Sequence, residues 1–229
     1  MSNAKTTKRA KLEQREKRIV AAARSVFLEH GFNKAKMSQI ADTAELAEGT
    51  LYLYYKNKNA IVKAVVADHW REITDDAQDA LSETDDSFAQ LHALAIYHLT
   101  MMVKHWRVIE LGYVLYYSHS DDAGENAGVD FKRTYAALFD RVIERGQDKG
   151  TFTTSLSLPF LRDLFYGTLE YAARTIILHN KLQDIEANIA QLMDVLHPHL
   201  SGEITAQSSD GNAVLKRLER AVRKLERLR

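Results

Sequence analysis

A chain of 229 residues, 45% of them hydrophobic, is long enough for a small module plus a larger core and too apolar to be disordered. It has no cysteine, which excludes disulfides and thiolate metal sites, and no apolar run long enough to span a bilayer. The formal charge sums to zero, yet residues 1–20 and 211–229 are basic while 72–86 are acidic, a distribution that suits either an anionic partner at one end or merely solvated helix faces.

Only two prolines occur, Pro159 and Pro198, so long helices are allowed almost everywhere. No alternating β-branched run is bounded by turn residues, and the expected class is all-α. The first helix is predicted over 12–30, where Ile19, Ala22, Ala23, Val26 and Phe27 recur at helical spacing. It ends at Gly31, which can turn left-handed, with Phe32 folding back on the last turn. Short helices follow at 37–44, with Met37, Ile40, Ala41 and Ala44 on one face, and at 48–54. A long helix begins near Asn59 with Ile61, Val62, Val65, Val66 and Trp70 inward. Further helices are predicted at 87–104, 105–118, 128–149, 158–180 and 184–200, separated by Asp, Gly and Asn clusters. Residues 201–212 read as a linker, and 213–229 as a C-terminal amphipathic helix carrying Leu215, Leu218, Val222 and Leu225. The domains expected are therefore 1–58, a basic arm with a helix-turn-helix, and 59–200, a larger core.

Two short helices separated by a tight turn and braced by a longer one form a helix-turn-helix pattern. The second short helix needs one face on the bundle and one in a major groove. Leu51 and Tyr55 suit the packed face, while Glu48, Thr50, Tyr52, Leu53 and Tyr54 project elsewhere. Gly49 would let this helix approach DNA closely.

The stretch 19–66 resembles the DNA-binding module of the TetR family of transcription regulators. The resemblance rests on Ala22, Phe27, Gly31, Phe32, Ile40-Ala41, Ala44, Gly49-Thr50-Leu51-Tyr52, Tyr54-Tyr55, Lys56 and Lys58 together. It implies that Glu48, Gly49, Thr50 and Tyr52 touch bases and that Ser38, Tyr54 and Lys58 touch phosphate. Phosphate contacts position such a protein, and base-edge contacts specify sequence. The chain departs from the pattern at Lys36, where a Ser or Thr cap is usual, at Glu45, where Gly is common, and at Glu48, which would repel phosphate unless it accepts from a cytosine amino group.

One helix-turn-helix reads few base pairs, so a homodimer on a pseudo-palindromic operator is expected. The last two core helices would form its seam, with Leu164, Leu169, Ala172, Ala173, Ile176, Ile189, Leu192, Met193 and Leu196 divided between interface and core. Between these and the earlier helices a small-molecule effector is expected among Tyr97, His98, Met101, Met102, His105, Trp106, Tyr113 and Tyr117, together with Phe165 and Tyr166. For any one of them, core packing is the competing reading. The segment 164–178 is similar to the matching helix of the branch of the family that responds to fatty acyl-CoA, which implies a hydrophobic effector that releases a repressor from its operator.

An enzyme is not expected. The histidines lack metal-ligand spacing, no HExxH appears, and no phosphate-cradling glycine loop is present. No cofactor and no metal site follow from the sequence. The basic N-terminus lacks the apolar segment of a signal peptide, so a cytoplasmic protein is expected. The competing class is a helical homodimeric scaffold, or a small-molecule binder, without specific DNA binding. The 213–229 helix is expected to dock on the core or pair across the dimer rather than contact DNA.

Overall fold

The computed structural model describes residues 2–117 and 127–202, and side chains over 9–113 and 132–202. Among the described residues there is no strand, and the helices are α1 (Ser2–Lys34), α2 (Met37–Thr43), α3 (Glu48–Tyr54), α4 (Lys58–Ser82), α5 (Ser87–Lys104), α6 (Trp106–Tyr117), α7 (Ala127–Asp148), α8 (Leu158–His179) and α9 (Ile185–Leu200). A 3₁₀ turn over Leu182–Asp184 leads into α9. Tyr117 closes α6, but its side chain lies outside the described residues, as does the whole of 213–229.

The expected inward stripes are buried: Ile19, Ala22, Ala23, Val26 and Phe27 in α1, and Ile61, Val62, Val65, Val66 and Trp70 in α4. Helix boundaries follow local chemistry. The Asn57 side chain accepts from the Ala60 amide at 2.9 Å, and Asp86 accepts from Ala89 at 2.7 Å, so each satisfies an orphan donor at a helix start. Pro159 occupies the first turn of α8, where its missing N–H costs nothing.

Two features differ from expectation at α1. The helix extends back to Ser2 rather than starting near 12, and it resumes for one turn after Gly31. Gly31 has φ 74° and ψ 159°, an extended conformation open essentially to glycine, rather than the left-handed helical one. Phe32 folds back as expected, its ring 5.9 Å from that of Phe27.

Helix α4 organises the molecule. It packs on α1 towards the N-terminal module and on α5, α6 and α7 towards the core. Helices α8 and α9 then pack on α5. Leu169, Ala172, Ala173, Ile176, Ile189, Leu192 and Leu196, considered above for the dimer seam, are buried within the single chain and serve its own core. The helical period explains the division: the face of α8 and α9 turned away from α5 carries a different set, described below.

Candidate DNA interface and effector site

The helix-turn-helix is built on Leu51, which is fully buried, while its neighbours Tyr52 and Leu53 are 48% and 85% exposed. Glu48 and Gly49 are exposed, and Thr50, Tyr54 and Tyr55 are half-buried. A Cβ on Gly49 would meet nothing, so packing within the chain does not require glycine there. Ser38 sits half-exposed in the first turn of α2. Leu53 was not among the expected contacts, yet it is the most exposed large apolar side chain of the molecule's described part. Its signal was available, since it follows Tyr52 on the face away from Leu51.

The turn accommodates the departures from the family pattern. Gln39 Oε1 accepts from the Lys36 amide at 2.9 Å, so the side chain three residues on covers a donor at the start of α2 although Lys36 cannot accept. Glu45 adopts φ 55°, with its amide bonded to Asp42 O at 3.0 Å and the Leu46 amide bonded to Ala41 O at 2.9 Å. This is a Schellman ending that glycine would fill without strain. Arg18 reaches over from α1 and donates to Ala44 O at 2.7 Å, holding the turn against the brace helix.

Lys58 is bonded within the chain. Its ammonium donates to the carbonyls of Phe32 at 2.5 Å, Asn33 at 3.2 Å and Ala35 at 2.9 Å, and it lies 4.5 Å from the centre of the Phe32 ring. All three N–H donors are used on the end of α1. Burial lowers its pKa from the ordinary lysine value. Sequence spacing places Lys58 beside the reading helix, and the carbonyls that follow the Gly31 kink hold it, so that it ties α4 to α1.

In the core the expected effector residues divide. His98 and Tyr166 come together with Tyr135, Phe139 and Phe165 in a buried aromatic cluster. His98 Nδ1 lies 3.1 Å from the Tyr135 hydroxyl, while its buried Nε2 has no partner. Burial, with a smaller contribution from Lys132, depresses its pKa to about 3, so the ring is neutral at pH 7. Burial raises the Tyr166 phenol above its usual value. Met101 and Met102 are buried in the same helix. Tyr97 is half-buried, its hydroxyl 3.5 Å from Asp76, and its pKa is raised by burial and then by that carboxylate.

His105 belongs elsewhere. Its ring lies 5.1 Å from that of buried His69, where α4 meets the start of α6. Burial, then His105 and Arg24, push the His69 pKa down to about 4. Arg24 of α1 bonds Glu72 at 2.9 Å and Asp68 at 3.4 Å beside this pair. Trp106 and Tyr113 form a rim on α6, with Arg174 lying over both rings. Tyr135, His69 and Arg174 escaped the sequence reading. Tyr135 could have been found from its place four residues before Phe139 on the apolar face of α7, whereas Arg174 depends on two helices meeting in space.

Residues 19–65 match the family model described as bacterial regulatory proteins of the tetR family, and residues 66–198 match the one described as the C-terminal region of YsiA-like protein. The chain belongs to the TetR family. The two matches meet inside α4, the helix that both parts share. A fatty acid metabolism regulator protein of Bacillus subtilis (strain 168) is 21% identical over 178 residues, covering 78% of this chain and 91% of that one. Among solved structures, FadR from Bacillus subtilis in complex with stearoyl-CoA superposes with a TM-score of 0.64 at 20% identity, over 80% of this chain and 98% of that one. The fatty acid degradation regulator FadR from Bacillus halodurans gives 0.65 at 23% identity, over 80% and 94%.

This TetR-family chain is therefore a DNA-binding transcription regulator with a ligand-binding C-terminal domain. A scaffold that does not bind DNA leaves the match over 19–65 without a reason. The family consists of regulators rather than enzymes. No described helix is long and apolar enough to cross a membrane, and no group of three or more His, Asp or Glu among the described residues could hold a metal ion.

Proposed function

We propose that the protein is a cytoplasmic repressor that binds a pseudo-palindromic operator as a homodimer and is released by a long-chain acyl-CoA. Glu48, Gly49, Thr50 and Tyr52 read bases, Ser38 and Tyr54 contact phosphate, and residues 1–58 act as the reading head on a 59–200 core. The observation that carries the DNA part is α3 itself. It buries one residue, Leu51, and leaves Tyr52 and Leu53 in solvent, an outlay of apolar surface that the fold does not use.

The dimer reading rests on a second apolar surface. Phe160, Tyr171 and Leu178 of α8, with Leu182 and Val195 beyond it, are each more than half exposed. Phe160, Tyr171 and Leu178 lie 11 and 7 residues apart on one helix. That is the helical spacing of a single face. Gly167, between them, has open space where a Cβ would be, so a partner helix could approach closely. The acyl-CoA reading is supported by the relatives, one a regulator of fatty acid metabolism and one solved with stearoyl-CoA, and by the aromatic interior around His98.

Selection of bound duplexes from a random pool tests the first part. A pseudo-palindrome is expected, with binding lost in Tyr52→Ala; no enrichment at low salt refutes it. Micromolar palmitoyl-CoA should release the selected operator, and saturating operator should weaken palmitoyl-CoA binding by the same factor. Equal ligand affinity with and without DNA would refute the coupling.

A further inference from the structure

Two cations of the core are held in ion pairs. Arg162 pairs with Asp140 at 2.7 Å, and Lys132 pairs with Glu170 at 2.9 Å. Lys149 donates to Asp85 O at 2.7 Å. Arg174 is different. It lies on the exposed side of α8 with its guanidinium 5.6 Å from the ring centres of both Trp106 and Tyr113. Those rings are 6.4 Å apart and tilted by 53°. They lie seven residues apart, two turns along α6, and both are half-buried against the core.

A guanidinium over aromatic faces is held by the ring quadrupoles, which use none of its five N–H donors. It is therefore positioned and still free to bind an anion through two parallel hydrogen bonds. Lys104 and Arg107 flank Trp106 at the junction of α5 and α6, both exposed, and neither has an ion pair among the described residues. The one carboxylate in that turn of α6 is Glu110. The nearby Glu170, one turn before Arg174, is already engaged by Lys132. Lys104 and Arg107 thus adjoin in sequence the ring that Arg174 covers, and both rings are packed against the apolar interior.

We propose that Arg174, held across Trp106 and Tyr113, forms with Lys104 and Arg107 the docking site for the phosphates of the nucleotide headgroup of an acyl thioester. The acyl chain then runs inward past the two rings. This rests on the acyl-CoA reading above and assigns the headgroup to named side chains.

The test uses the full-length protein and measures palmitoyl-CoA affinity by calorimetry for the wild type, Arg174→Gln, the double variant Lys104→Gln/Arg107→Gln, and Arg145→Gln, a cation on α7 outside the cluster. Melting temperatures establish that each is folded. The site predicts about tenfold weaker binding in Arg174→Gln, about tenfold for each cation removed in the double variant, and no change in Arg145→Gln. Arg174→Lys, which keeps the charge and loses the fork, should fall between. The double variant lies wholly in exposed side chains and remains informative if Arg174→Gln does not fold. Wild-type binding with unchanged affinity in both rim variants overturns the headgroup site and leaves the effector reading standing. An equal loss in Arg145→Gln means general charge attraction and also overturns the site. No binding of palmitoyl-CoA to the wild type overturns both.

Discussion

Replacing Lys58 with methionine separates a staple from a phosphate contact. The lysine makes three charge-assisted hydrogen bonds to carbonyls at the end of α1. Buried bonds of this kind contribute about 1.5–3 kcal/mol each, and partial solvent exposure brings them nearer to about 1 kcal/mol. The ring contact with Phe32 adds ~0.5 kcal/mol, and removing a cation from the first turn of α4 returns a similar amount because the helix N-terminus disfavours positive charge. The net loss is about 3 kcal/mol, which for a chain of this size lowers Tm by roughly 6–12 °C. A phosphate ligand predicts something else. Each neutralised phosphate contributes about 0.9 to the slope of log Kobs against log salt, so a dimer losing two would lose about 1.8. Anisotropy titrations of the selected operator over a salt series, beside a melting curve, distinguish the two. The structure predicts a lower Tm and an unchanged salt slope. An unchanged Tm with a slope shallower by about two would refute the staple and restore Lys58 to the DNA interface.

The left-handed backbone at Glu45 predicts that Glu45→Gly stabilises the fold by up to about 1 kcal/mol, since the strain relieved exceeds the flexibility gained by the unfolded chain; a loss in urea melts would contradict it. His69 and His98 have folded pKa values of about 4 and about 3 against 6.5 for a free ring, so the unfolded state binds more protons as pH falls. Their contribution is fully present above pH ~6.5 and is lost progressively as pH falls from there towards the folded values, about 2 kcal/mol per histidine between pH 7 and 5, and a flat stability profile over that range would contradict it. Tyr171→Asp with Leu178→Asp should give monomers by sedimentation and sharply weaker operator binding, because two charges would be buried on the proposed seam; persistence of the dimer would show that the seam lies elsewhere.

What the sequence made legible depends on whether a feature repeats along the chain or arises between distant parts. The helices are legible because Ile19 to Phe27 and Ile61 to Trp70 repeat at the helical period, and burial follows that period directly. The reading helix is legible because its short length, tight turn and Leu51 anchor are local. The partners of Lys58 were not legible because they lie 23 to 26 residues earlier, on carbonyls whose exposure depends on how Gly31 bends α1. The division of the seam residues between interface and core was not legible for a related reason. Apolar residues occur on both faces of α8, and only the position of α5 decides that Leu169 and Ala173 face inward while Tyr171 and Leu178 face out. His105 shows the same limit. Its neighbours in sequence belong to the effector region, but its ring meets His69 of α4.

That contact also bears on how the two halves communicate. Lys58 fixes the start of α4 to the end of α1, and Arg24 fixes α1 to Asp68 and Glu72 further along α4. The reading head is therefore tied to the first half of α4. On the core side, α4 meets the junction of α5 and α6 through His69 against His105, and meets α6 through Val66, 3.7 Å from where a Cβ on Gly112 would lie. Helix α6 also carries Trp106 and Tyr113, the two rings of the proposed headgroup rim. A ligand that repositions α6 thus presses on α4 at Val66 and His69, within the same stretch that Arg24 couples to the head. Coupling of this kind needs no long chain of intermediates, because a single helix is shared by both sites and has its fixed contacts concentrated between residues 58 and 72.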